Sequence, residues 1–205
     1  MGDIERAADA DLPLEAAPYL GRDDDEDHAA IRQHLEAFFD REGEELTWPH
    51  GVGAHRMGAF RVLAVPPNER TALHTYASIG AFALREPCVE LVLLTAERSS
   101  RAVEIVATAA AYHHATGLRA GDRWVLGQPW LPGSACDAFL VSPPHPLGPT
   151  FERARGGTRP VRMLWLLPIT PAERRFAHEN GVAELELRFE DAPIEFWAPG
   201  RPSVV

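Results

Sequence analysis

The segment Val161 to Ile169 constrains this chain more than any other. It reads Val-Arg-Met-Leu-Trp-Leu-Leu-Pro-Ile and is apolar on both faces, as expected of a central strand covered by layers on both sides. Pro168 should mark its end, because an interior proline would remove a ladder donor. Thr170-Pro171-Ala172-Glu173 follows at once and has the form of a capping box. Thr170 is the N-cap, Pro171 takes the first helical position, and Glu173 reaches back to the Thr170 N–H. That helix runs to Gly181.

The rest of the chain alternates between strand and helix signals. Residues 1–26 hold few large apolar side chains and carry the run Asp23-Asp24-Asp25-Glu26-Asp27, so they read as an acidic, disordered N-terminal segment. The end of that run doubles as a helix start, with Asp25 or Asp27 as cap. Ile31, Leu35, Phe38 and Phe39 then form one stripe of a helix over 27–42 that stops near Gly43. Thr47 to Gly53 is a Pro- and Gly-containing loop. Phe60 to Val65, Leu73 to Ile79 and Cys88 to Thr95 read as strands, and their short connectors suit antiparallel or mixed pairing.

Ser99 or Ser100 caps a second helix, whose Val103, Val106, Ala107, Ala110 and Ala111 make a narrow stripe of small side chains. Gly117 ends it, and Gly121-Asp122 makes a turn. Arg123 to Gly133, with Trp124 and Trp130, reads as an ordered loop, and Ala138 to Ser142 as a short strand. Val182 to Phe189 fits a helix through Val182, Leu185 and Phe189, or a strand through Ala183, Leu185, Leu187 and Phe189. Periodicity does not separate the two.

Bulk properties narrow the function classes. A chain of 205 residues, 45% hydrophobic and 24% charged, is that of a globular domain with a full core. Its formal charge of −10 repels phosphate backbones and anionic lipid, so neither nucleic acid nor membrane is an expected partner, whereas a basic protein is. Solubility alone accounts for the same acidity. The apolar runs are far shorter than a bilayer requires, and the acidic N-terminus lacks a secretory h-region, so cytoplasmic residence is expected. Cys88 and Cys136 lie in apolar strand-like segments and read as buried free thiols.

No catalytic motif is legible. His113 and His114 are adjacent and point to different sides of a helix, so they do not chelate as an i, i+4 pair would. There is no His-Glu-x-x-His, Cys-x-x-Cys or Gly-x-Ser-x-Gly pattern, and Gly156-Gly157 lacks the Lys of a phosphate loop. No metal and no cofactor are expected. Glu90 interrupts an otherwise apolar strand; an edge or solvent-facing position, or a buried salt bridge with an arginine, explains it more simply than acid–base catalysis. His74 and Tyr76 share one strand face. His74, Tyr76, Glu90 and Trp124 are therefore the candidate binding residues, and a pocket joining His74, Tyr76 and Glu90 would be the requirement of a hydrolase.

The ordered segments resemble a known family. His74-Thr75-Tyr76-Ala77-Ser78-Ile79-Gly80 followed by Pro87-Cys88-Val89-Glu90-Leu91-Val92-Leu93 resembles the paired strands of the suppressor of fused domain. The helix from about Ala102 to Thr116 with Gly121-Asp122 looks like its next step, and Asp137 to Val141 is similar to the strand after that. Leu167 to Glu173 with Gly181-Val182-Ala183-Glu184-Leu185 resembles the family's ending, which favours helix for 182–189. Gly80 departs from the pattern, being followed by Ala81-Phe82-Ala83 where a small polar residue is usual. The resemblance implies an α/β domain over 27–198, a mixed and largely antiparallel sheet flanked by helices, with 199–205 as a tail. It implies a non-catalytic protein-binding role, as an immunity protein neutralising a cognate toxin or as a regulatory binder sequestering a peptide or transcription factor.

Overall fold

A strand that is apolar on both faces needs a layer on each, and the fold supplies them. The computed structural model describes residues 22–47, 60–157 and 159–205. The expected disorder of residues 1–21 and most of the Thr47 to Gly53 loop lie outside these residues. In chain order the elements are α1 (Arg22–Phe39), β1 (Glu44–Leu46), β2 (Arg61–Val65), β3 (His74–Ile79) and a 3₁₀ turn (Ala81–Ala83). Then come β4 (Val89–Thr95), α2 (Ser100–Thr116), β5 (Arg123–Val125), β6 (Ala138–Ser142) and α3 (Pro149–Glu152). The last are β7 (Arg153–Gly156), β8 (Arg159–Ile169), α4 (Pro171–Asn180) and α5 (Val182–Asp191).

The strands form one sheet in the order β1-β2-β3-β4-β8-β6-β5, with β7 paired to the start of β8. All pairs are antiparallel except β4 with β8, in the register Val89↔Arg162 to Val92↔Trp165. This is the mixed, largely antiparallel sheet expected from the sequence. One face, with Val62, Tyr76, Leu91, Leu93, Phe139 and Leu164, is covered by α2. The other, with Leu63, Ala77, Val92, Leu140, Met163 and Trp165, packs against α1, α3, α4 and α5. Met163, Leu164 and Leu166 at the centre of β8 have no exposed surface. At about 1.5–3 kcal/mol for each large apolar side chain fully buried, these two cores drive the layering.

Several local expectations change in detail. Helix α1 starts at Arg22, so the acidic run forms its first turns and neither Asp25 nor Asp27 is its cap. Asp27 is instead buried and 3.9 Å from Arg159. The helix ends at Phe39 rather than 42, and Asp40 turns the chain with a φ of 49°. In α2 the inward face holds Ala102, Ile105, Ala109 and His113 beside Val106, Ala107 and Ala110. Val103 and Ala111 are only partly buried, so the stripe is rotated from the one read in the sequence. Residues 182–189 are helical, with Leu185 and Phe189 inward and Leu187 54% exposed. Strands β1, β5 and β7 were not legible, because three or four residues carry too little periodicity.

Pro168 stands one residue inside the end of β8, opposite Phe139. The β4–β8 register has already stopped at Trp165. The Pro168 carbonyl is taken by Arg201 Nη2 at 2.7 Å. A ring without an N–H is tolerated where no neighbouring strand asks for one. The final residues, set apart in the sequence as a tail, thus enter the domain through Arg201, which is 5% exposed.

Candidate functional site

Glu90 has the most unusual surroundings among the residues singled out in the sequence. It has no exposed surface. The β3–β4 ladder runs from His74↔Thr95 to Ala77↔Val92, and beyond it the two strands separate. There the Ser78 hydroxyl accepts the Leu91 N–H at 2.7 Å and donates to Glu90 Oε2. Glu90 Oε1 accepts from the Gly80 N–H at 2.7 Å and the Phe82 N–H at 3.4 Å. A hydroxyl and a carboxyl therefore replace the missing backbone ladder and fix the turn that follows β3. Gly80 has a φ of 103°, which a β-carbon would disfavour.

The sequence offered Glu90 an edge position or an arginine partner, and the structure gives it neither. The strand is central, and the partners are uncharged donors. Burial pushes the Glu90 carboxyl up to about 7, opposed by the hydrogen bonds from Ser78 and the backbone.

The other candidates are dispersed. Tyr76 is buried on the α2 face, and its Oη accepts the Ser99 N–H at 2.7 Å, next to the cap of α2. Ser99 itself is that cap, accepting from the Ala102 N–H. Trp124 is buried on β5, stacked on Phe139 with ring centroids 5.5 Å apart and tilted against Tyr112 at 6.1 Å. His74 is half-buried at the start of β3. Glu90 is bound at the end of β3 by Ser78 and Gly80, Tyr76 Oη meets the Ser99 N–H, and His74 begins the strand, so the hydrogen bonds of the three lead to different neighbours. Tyr76, Glu90 and Trp124 are all buried, and only His74 of the four candidate binding residues is partly exposed.

A second polar node was missed. Glu173, inside the expected capping box, is fully buried. It accepts from the Thr170 N–H at 2.8 Å while Thr170 Oγ1 accepts from the Glu173 N–H at 3.2 Å. Arg201 Nη1 and Nη2 donate to its two oxygens at 2.7 and 2.6 Å, and the Val204 N–H adds a bond at 3.1 Å. The capping box was legible, but its arginine lies 28 residues away and carries no local signature.

Neither node is arranged for chemistry on a substrate, because each carboxylate is enclosed and its acceptors are occupied. Cys88 and Cys136 are both unpaired. Cys136 is buried as expected, while Cys88 is only partly so, and burial raises both thiols above their ordinary value. Among the described residues no group of three His, Cys, Asp or Glu side chains is placed to hold a metal ion. No helix among them is long and apolar enough to cross a membrane.

Comparison with known proteins agrees with this geometry. The family model of the suppressor of fused protein matches residues 56–202. A suppressor of fused homolog from Neisseria gonorrhoeae FA 1090 superposes with a TM-score of 0.78 at 28% identity, covering 87% of this chain and 96% of that one. A chain of the Sufu–Fu complex is similar in fold, with a TM-score of 0.59 at 14% identity over 80% of this chain and 84% of that one. Drosophila Suppressor of Fused gives 0.66 at 14% identity, covering 87% of this chain and 51% of the larger protein. No curated protein matches the chain in sequence.

Proposed function

The chain belongs to the suppressor of fused family, and on that premise we propose that it is a non-catalytic protein-binding domain, cytoplasmic, acting as an immunity protein that neutralises a cognate toxin. The observation that carries the binding role is the family match itself, over residues 56–202. Polar residues within the matched span support it from the inside. Glu90 binds Ser78 and Gly80, and Glu173 binds Thr170 and Arg201. They are spent on the fold, which leaves outward-facing residues to meet a partner.

The formal charge of −10 favours encounter with a basic protein and disfavours nucleic acid. Neutralisation is tested by co-expression with the toxin encoded beside this gene. Protection of the cell, with a stable complex on copurification, is the expected result. Growth arrest despite soluble expression of both proteins overturns the immunity reading.

A regulatory binder is the second reading, favoured by the solved Sufu–Fu complex, in which a protein of this fold has a protein partner. Recovery of a regulator rather than a toxin domain in a pull-down distinguishes it.

A further inference from the structure

The loop between β3 and β4 is held at its two ends by different groups. At its start, Glu90 binds Gly80 and Phe82, and the Phe82 ring is buried. At its far end the loop meets the C-terminal turn of α2 in a reciprocal clasp. His113 Nε2 donates to the Arg85 carbonyl at 3.0 Å, and His114 Nδ1 donates to the Leu84 carbonyl at 3.0 Å. In return Arg85 Nη1 donates to the Ala115 and His114 carbonyls at 2.7 and 3.3 Å, where the last helical acceptors lack partners within the helix. Between Leu84 and Pro87 no strand ladder contributes, so these side chains, with the packing of Leu84 on the α2-side core, carry the attachment.

We infer that this clasp is an acid-sensitive latch: protonation of His113 releases the segment Leu84–Pro87 from α2 while the Gly80–Phe82 end stays anchored. His113 is buried, and its Nδ1 has no hydrogen-bond partner among the described residues. The neutral ring needs only its Nε2–H satisfied, which the Arg85 carbonyl does. The imidazolium would add an N–H at Nδ1 in a place without an acceptor. The charged groups that face it are Arg85 and His114, which oppose a further positive charge, and Glu86, which favours one. On the other side of the loop His28 packs edge-on against Phe82 at 5.8 Å, and Glu90 holds Gly80. Both belong to the end that stays closed. Burial is the largest influence and lowers the affinity of His113 for a proton, outweighing the bond to the Arg85 carbonyl, which favours the charged ring.

Release of the segment leaves His113 in water, where it takes up a proton more readily than when clasped, so falling pH favours release. One proton taken up on opening raises the open fraction by up to about tenfold per pH unit below the imidazole's titration.

Hydrogen exchange read peptide by peptide tests this on the intact protein. Exchange over residues 84–88, compared at matched pH with His113→Gln, should rise severalfold in the wild type between pH 7 and 5. Gln keeps a donor for the Arg85 carbonyl but does not titrate. Peptides from α4 and β6 should not follow, and His114→Gln should keep the pH response. Uniform exchange over the sheet and loop at both pH values overturns the inference, and needs no variant to do so. A pH response that survives in a folded His113→Gln protein, or that is lost only in His114→Gln, also overturns it.

Discussion

Arg201 and Glu173 form a buried, two-pronged ion pair at 2.7 and 2.6 Å that joins the last residues of the chain to the first turn of α4. The same guanidinium takes the Pro168 carbonyl at the end of β8. One side chain thus closes strand, helix and terminus together. Removing it strands a carboxylate in the core, a change that typically costs about 3–5 kcal/mol. Arg201→Ala should lower the urea midpoint accordingly. In a double-mutant cycle, Glu173→Gln with Arg201→Met should cost clearly less than the sum of the single changes. Additive losses below about 1 kcal/mol each would show that the pair contributes little.

Glu90 predicts a pH dependence whose sign is opposite to that of an ordinary salt-bridged carboxylate. In the folded protein its carboxyl titrates at about 7, above the ordinary glutamate value of 4.5. Between these, the native protein holds a proton that the unfolded chain has released, so stability falls as pH rises. The contribution is complete below the lower value and is lost as pH passes the upper one. Its full size is at most about 3.5 kcal/mol, because each pH unit separating the folded and unfolded titrations is worth about 1.4 kcal/mol. Unfolding of wild type and Glu90→Gln at pH 5 and pH 8 isolates it from other groups. The difference between the two proteins should change with pH by more than about 1 kcal/mol, and a constant difference would refute it.

The layered fold was legible because its signals are local: a two-faced apolar strand, a capping box, and helical stripes such as Ile31, Leu35 and Phe39. The site was legible only as residue types. Glu90 stood out as a polar interruption of β4, but whether it faced solvent, an arginine or backbone N–H groups depends on where the β3–β4 ladder opens. That opening is set by Ser78, twelve residues earlier. Arg201 gave no signal, since an arginine between Gly200 and Pro202 looks like any polar terminus. Tyr76 and Trp124 were ambiguous for a related reason: an amphipathic aromatic on a strand looks the same whether its polar atom meets a partner or a helix end.

Those two aromatics should therefore behave as stability residues. Tyr76→Phe removes the acceptor for the Ser99 N–H and should cost about 0.5–1.5 kcal/mol, because that donor is only partly buried and water can replace part of the bond. Trp124→Ala leaves a cavity beside Phe139 and should cost about 3–5 kcal/mol. His74→Ala, at a half-buried position, should stay within about 1 kcal/mol of wild type. Chemical denaturation ranks the three. A binding loss for folded Tyr76→Phe without loss of stability would return it to the contact surface.

The capping box gives the last test, because its two halves can be separated. Thr170 Oγ1 accepts from the Glu173 N–H and also lies 3.1 Å from Ser203 Oγ, so one hydroxyl serves both the helix start and the terminal segment. Thr170→Ser keeps that oxygen and should change stability by less than about 0.5 kcal/mol, whereas Thr170→Ala should cost about 0.5–2 kcal/mol. The Glu173 side chain would still accept the Thr170 N–H and Arg201, so Thr170→Ala should not reproduce the loss seen for Arg201→Ala. If it does, the terminal segment detaches with the cap, and hydrogen exchange over residues 199–205 will rise in Thr170→Ala. If exchange there is unchanged, the Arg201 and Val204 bonds to Glu173 hold the terminus without the hydroxyl, and the cap stabilises only the first turn of α4.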